Sequence, residues 1–366
     1  MKTKIHFGLI ALAVLGLSSC VKETTLDQAN PDTPIVFDTY LGRAAQTRGA
    51  EATITTVQDN AFGVYAFYTA TEDYNSSRTP DFMVNQLVKY DAGVWTYAPV
   101  KYWPNNTGDK VSFFAYSPYD SNSNGLISSV SANSFTGDPY ITFGVASDVT
   151  DQIDLLYAAL PNEKKPSITT KQTFNFKHAL SRVAFKAQVV VDEVNSESNG
   201  TTPDDDIALG DLAPETTVTV NSITLSGKFL TKGDLNITNG KWQKTVVDGA
   251  SYKLSGDELP VKKVTKTPVQ LNATDAYMML IPDQDKAIDG IKITVDYTVE
   301  TKDASLAGGK SSITNVIESD PFNFKFEQGK AYSFVLHLGL NSVKLSAEVE
   351  GWDKETPVAV NVPLNY

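Results

Sequence analysis

Ile291, Ile293, Val295, Tyr297 and Val299 alternate with Lys292, Thr294, Asp296, Thr298 and Glu300. Successive side chains of an extended chain point to opposite faces, so this alternation predicts an antiparallel strand with one dry and one wet face. Shorter β-type runs occupy residues 61–70, 94–103, 110–119, 138–145 and 152–160. Others occupy 216–230, 234–243, 275–282 and 322–340, with Gly-, Asn- and Ser-rich loops between runs. Asn239-Gly240, lying between 235–237 and Trp242, predicts a hairpin because both residues tolerate positive φ. Phe174, Phe176 and Leu180 share one parity while Val183 and Phe185 take the other, which calls for a bulge or turn between them. Leu, Ala and Glu form no long helical stripe, so the fold class is all-β, built as antiparallel sandwiches. The charged, proline-flanked stretch 161–166 predicts a linker, dividing the chain into a domain at 49–165 and another at 166–366.

The same alternation marks both ends of the chain. Near the front, Ile35, Phe37 and Leu41 share a face of a strand-like stretch, 35–41. A small, polar, flexible segment follows at 42–50, carrying Arg43-Ala44 and Arg48-Gly49, either of which a trypsin-like protease would find open. At the other end Val358, Val360, Val362, Leu364 and Tyr366 lie on one parity. Five apolar side chains on one face need a groove, and Pro363, which cannot donate to a ladder, requires the segment to pair at an edge or to leave that position unpaired.

Residues 1–20 combine Lys2 and Lys4, an apolar run at 5–15 too short to span a bilayer, and Leu17-Ser18-Ser19-Cys20. They form a secretory signal peptide rather than a transmembrane helix. The last four residues resemble a bacterial lipobox, which would make Cys20 the first mature residue and its lipid-bearing anchor. The alternative is an ordinary signal peptide ending in a cysteine by chance. Residues 21–34 are polar and proline-punctuated and read as a tether.

Composition changes the picture in two places. Cys20 is the sole cysteine, so hydrophobic cores rather than disulfides must hold the fold. A formal charge of -12 argues against a basic face for nucleic acid or anionic lipid. Past the signal only His178 and His337 remain, and each reads better as a hydrogen-bonded structural histidine than as a catalytic base. No nucleophile-elbow motif is present, and the chain is read as a non-enzyme without cofactor or metal. Residues 120–125 copy the first half of a calcium loop, but position twelve is Ser131, which lacks the bidentate carboxylate, so an Asx-rich loop is the better reading. Asp204, Asp205 and Asp206 fit a weak cation site and a solvated acidic loop equally well. Trp95, Tyr97 and Trp103 share a face that reads as core; with Tyr102 they are the residues a glycan-stacking platform would use.

Several stretches together resemble the fimbrillin family of Bacteroidales type V pilus subunits, including its Mfa-like branch. They are the lipobox at Cys20, the segment ending Gln46-Thr47-Arg48, residues 62–66, Trp95 with 99–104, 111–118, 176–183, 326–332, and Glu350-Gly351-Trp352. The resemblance implies two tandem β-sandwich domains of transthyretin or immunoglobulin type and export as an outer-membrane lipoprotein precursor. It also implies a place in cell-surface fimbriae that contribute to adhesion. In stalk subunits of that family an arginine-directed protease removes the first strand, and a strand of another subunit fills the groove. The matching bond is Arg48-Gly49, with Arg43-Ala44 second. The leader strand would be Ile35, Phe37 and Leu41, and the donor strand Val358, Val360, Val362, Leu364 and Tyr366. The expected partners are other pilin subunits, including accessory or anchor subunits, the processing protease, host surface ligands, and the outer membrane through lipid, but not nucleic acid. Four or five buried apolar side chains supply on the order of 6 to 15 kcal/mol before ordering costs, enough for a long-lived joint. An anchor or tip subunit that keeps its lipid, and a glycan-binding surface lipoprotein, are the alternatives.

Overall fold

A computed structural model describes residues 33–41, 52–168, 170–190, 216–260, 263–273, 276–302, 304–339, 343–352 and 358–360. The described chain is nearly all β, in several mainly antiparallel sheets. A six-stranded antiparallel sheet runs in the order Lys177–His178, Leu156–Lys164, Lys110–Ser117, Phe62–Ala70, Met83–Asp91, Val94–Thr96. Its two central strands are apolar on both faces, and the reason is visible in the packing. Phe62, Val64 and Ala66, with Val111, Phe113 and Ala115, belong to one core. Tyr65 and Phe67, with Phe114 and Tyr116, belong to another, shared with Leu230, Leu235, Met279 and Ile281 of the second half. A sheet covered on both sides is encoded as near-continuous hydrophobic runs.

The first core is closed by two short strands, Val36–Tyr40 and Lys171–Asn175, which pair with each other in parallel. A short helix, Ile54–Asn60, is capped reciprocally by Thr53 and Thr56 and sends Val57 into the same core.

In the second half the long strand Thr216–Asn236 pairs antiparallel with Trp242–Ser255 and with Ile288–Lys302. Tyr140–Gly144, a strand of the first half, pairs with its last residues, Lys232 to Asn236. Facing this sheet are Ser181–Val189 and Lys330–Leu338, again paired in parallel, followed by Val343–Gly351 and Val358–Val360. Ile291, Ile293, Val295, Tyr297 and Val299 are all buried, between partly exposed neighbours. The Asn239-Gly240 hairpin forms with Gly240 at φ +75°.

The stretch 161–166 behaves differently from a free linker. Lys164 lies opposite Lys110 and Glu163 opposite Val111 within the six-stranded sheet; Pro161 is tolerated there because the strand on its other side, Lys177–His178, pairs only with Leu156 and Tyr157. The backbone leaves that sheet instead at 179–180. There Ala179 N–H donates to Leu155 O, and the parity change between Leu180 and Val183 marks the move to another sheet. Likewise 97–103 is irregular apart from the single bridge of Tyr102 to Pro34, so only Val94–Thr96 of that run forms a strand.

Candidate functional site

The strand Val36–Tyr40 occupies a slot rather than a sheet interior. Its flank on one side is Lys171–Asn175, in the register Phe37 to Gln172 and Thr39 to Phe174. Phe176 N–H donates to Tyr40 O at 2.9 Å. On the other side, among the described residues, Ile35 N–H donates to Lys101 O and Trp103 N–H donates to Thr33 O, each at 2.9 Å. The Tyr97 hydroxyl donates to Ile35 O at 2.8 Å; burial pushes that phenol up to about 12, so it stays a donor.

Below the strand, alternation sends Ile35, Phe37 and Leu41 into the core, while Tyr40 is exposed and Asp38 pairs with Lys171 at 3.1 Å near the surface. The Phe37 ring is the centre of an aromatic cage. It stacks on Phe174 at 5.4 Å and meets Phe62 and Phe113 edge-on at 6.3 and 5.7 Å. Trp95 and Trp103 complete the walls, both buried. Such a slot suits an extended segment with apolar side chains at alternate positions; the polar groups on its described walls include the Tyr97 hydroxyl and the buried, unpartnered indole N–H of Trp103.

One buried and one partly buried polar cluster stand outside the slot. His178 Nδ1 and Asp154 Oδ2 are 2.5 Å apart with both side chains buried, and the imidazole lies flat on Trp352 at 4.1 Å. His337 bonds Gln188 at 2.7 Å and Ser346 at 2.9 Å; burial, then the nearby Lys344, holds its pKa below the ordinary value. Among the described residues, no group of three or more His, Cys, Asp and Glu is arranged to hold a metal ion. Asp120 spends its carboxylate on Ser121 N–H and the Asn85 amide, within a single turn at Asp120–Asn122.

Of the residues singled out from the sequence, Ile35, Phe37 and Leu41 come together in the slot with Trp95, Tyr97 and Trp103. Since both tryptophans are buried and only Tyr102 is exposed, no stacking platform for a sugar exists there. Val358 and Val360 belong to a short strand paired antiparallel with Val349 and Ala347 of the same chain, at the edge of its sheet. Cys20, Arg43, Ala44, Arg48, Gly49, Val362, Leu364, Tyr366 and Asp204 to Asp206 lie outside the described residues. Sequence reasoning missed the parallel partner 171–175, the Tyr97 hydroxyl and the His178–Asp154 pair. The shared parity of Phe174 and Phe176 was the one signal that 171–176 borders an apolar slot.

Comparison with known proteins places this architecture among relatives. A model of the fimbrillin-like family matches residues 47–352. The fimbrium subunit Fim1C of Phocaeicola vulgatus is 27% identical over 393 aligned positions, covering 97% of this chain and 98% of its own. A fimbrial protein of Bacteroides vulgatus, known from its crystal structure, superposes with a TM-score of 0.69 at 23% identity, over 87% of this chain and 99% of its own, a likeness of fold.

Proposed function

Because this chain belongs to the fimbrillin-like family, a family of fimbrial subunits rather than enzymes, we propose that it is a structural pilin of a cell-surface fimbria assembled by strand exchange. Its partners are other subunits of the same fimbria. In this reading the chain is exported as a lipoprotein on Cys20 and folds as two tandem sandwich domains. An arginine-directed protease then cuts Arg48-Gly49, or alternatively Arg43-Ala44, and the strand bearing Ile35, Phe37 and Leu41 leaves. The tail of a second copy, with Val358, Val360, Val362, Leu364 and Tyr366 on its apolar face, takes its place.

One observation carries the proposal: the strand Val36–Tyr40, paired along its length with Lys171–Asn175, closes an aromatic core slot with Ile35, Phe37 and Leu41. Removing it would uncover Phe62, Phe113 and Phe174, a surface of the kind that captures another chain. Restoring three buried side chains there is worth about 5 to 9 kcal/mol before ordering costs. A head-to-tail joint of this type does not close on itself, so it propagates.

Deleting residues 358–366 tests the reading. Folded, trimmed subunits that no longer form a ladder on a gel are expected, and undiminished polymer would refute the donor role. A second reading, a terminal subunit that keeps its lipid and leader strand, draws support from the pairing of Val358–Val360 with its own chain. Acylated Cys20 recovered from assembled fimbriae would favour it.

A further inference from the structure

Asp154 is 4% exposed, and its two carboxylate oxygens are treated unequally. Oδ2 accepts from Ala52 N–H at 3.2 Å and sits 2.5 Å from His178 Nδ1. Oδ1 is buried and has no hydrogen-bond partner among the described residues. An unmet carboxylate oxygen away from water is costly, and a cation with N–H donors is its natural complement.

Asp154 lines a cavity of about 180 Å³ that also takes in Ala52, Thr56, Ser117, Asn122 and Asn124. Hydroxyl- and amide-bearing side chains line it, and among the described residues no Lys, Arg or His does. A single carboxylate suits an ammonium better than a divalent metal, which draws on several anionic oxygens. Ala52 is the first described residue after 42–51, and it is already bonded to Asp154. Three residues, Gly49, Ala50 and Glu51, separate it from the expected cut, a reach of at most about 10 Å.

We propose that the new amino terminus docks on Asp154 once the chain is cut. Hydrolysis of the Arg48-Gly49 bond consumes one water and leaves a carboxylate on Arg48 and an ammonium on Gly49. That ammonium enters the cavity, donates to Asp154 Oδ1 and to neighbouring oxygens, and carries Gly49 and Ala50, small enough to follow. Asp154 adjoins Leu155 and Leu156, where the six-stranded sheet meets His178 and the chain crosses to the second half. Cleavage would thus stabilise the crossover as the leader strand is lost. The inference rests on the cleavage reading for the position of the cut.

The test uses the full mature-length precursor nicked by an arginine-specific protease, with amino-terminal sequencing to establish that the chain starts at Gly49. Acylation of the Gly49 α-amine by a limiting reagent is followed by mass spectrometry, beside a free peptide of residues 49–54, which contains Glu51 and cancels its local influence. A rate about ten-fold below the peptide's, as a one-unit rise in the α-amino pKa produces, is expected at neutral pH. Asp154→Asn should return the rate to that of the peptide. A peptide-like rate in the nicked wild type overturns the proposal, as does slow acylation that Asp154→Asn leaves unchanged. If Asp154→Asn does not fold, the pH dependence in the wild type decides. An α-amine pKa above the roughly 7.7–8.0 of a free terminus supports docking, and a value at or below it overturns it. If fimbriae prove to be cut elsewhere, sequencing reveals that separately, and docking by the nicked protein is still measured.

Discussion

The ring of Phe37 stacks on that of Phe174 with centroids 5.4 Å apart and planes inclined by 30°. One ring belongs to the strand Val36–Tyr40 and the other to Lys171–Asn175 paired beside it, so the contact reports whether the slot is filled by its own chain.

Phe37→Ala should therefore destabilise the precursor by about 3 to 5 kcal/mol, the usual cost of deleting a caged aromatic ring. On the proposed processing, a subunit cut after Arg48 would lack the strand and should be unaffected. Denaturant midpoints of the two forms, with and without the substitution, check the difference; equal effects on both would show that the strand is not removed.

His178→Ala leaves the Asp154 carboxylate buried without its imidazole and takes away the ring stacked on Trp352. Breaking a buried pair from one side costs about 3 to 5 kcal/mol, and urea unfolding should show a loss of that size. A loss below 1 kcal/mol, on the scale of an exposed pair, would mean the pair is solvated in solution.

At Gly240 a Cβ would lie 2.2 Å from the Tyr157 hydroxyl, on a backbone already at φ +75°. Gly240→Ala is expected to cost more than the roughly 1–2 kcal/mol of the left-handed conformation alone. Tyr157→Ala in the same chain should relieve the steric part and leave the backbone part, so a double-mutant cycle should give a favourable coupling.

His337 gives stability a pH dependence of known sign. Burial, then Lys344, lowers its folded-state pKa below 6.5, so the unfolded chain takes up a proton that the folded chain resists. The contribution is fully present above about 6.5, the unfolded value, and is lost as pH falls through the folded-state pKa. Denaturant midpoints between pH 7 and 5 should drop less steeply in His337→Gln than in the wild type.

Much of the β architecture was legible in the alternation of side chains. The wet and dry faces of Ile288–Lys302, the hairpin at Asn239-Gly240 and the inward face of Ile35, Phe37 and Leu41 follow from period two, a local property. The crossing point of the chain was harder to see. Prolines and charges drew attention to 161–166, whereas the move between sheets occurs among the apolar residues Ala179 and Leu180, which look like core on either side.

Periodicity says which side chains turn inward, because successive residues of a strand must face opposite ways; it determined that this protein is built of strands with apolar faces and that both of its ends carry such a face. It does not say which strand lies beside which, because hydrogen bonding between backbones carries no side-chain identity. Only the tertiary structure decided that Val36–Tyr40 runs parallel to 171–175 over an aromatic cage, that one sheet is buried on both faces, and that Ala52, Asp154 and His178 meet. Those are contacts between residues far apart in the chain, selected by how the faces pack.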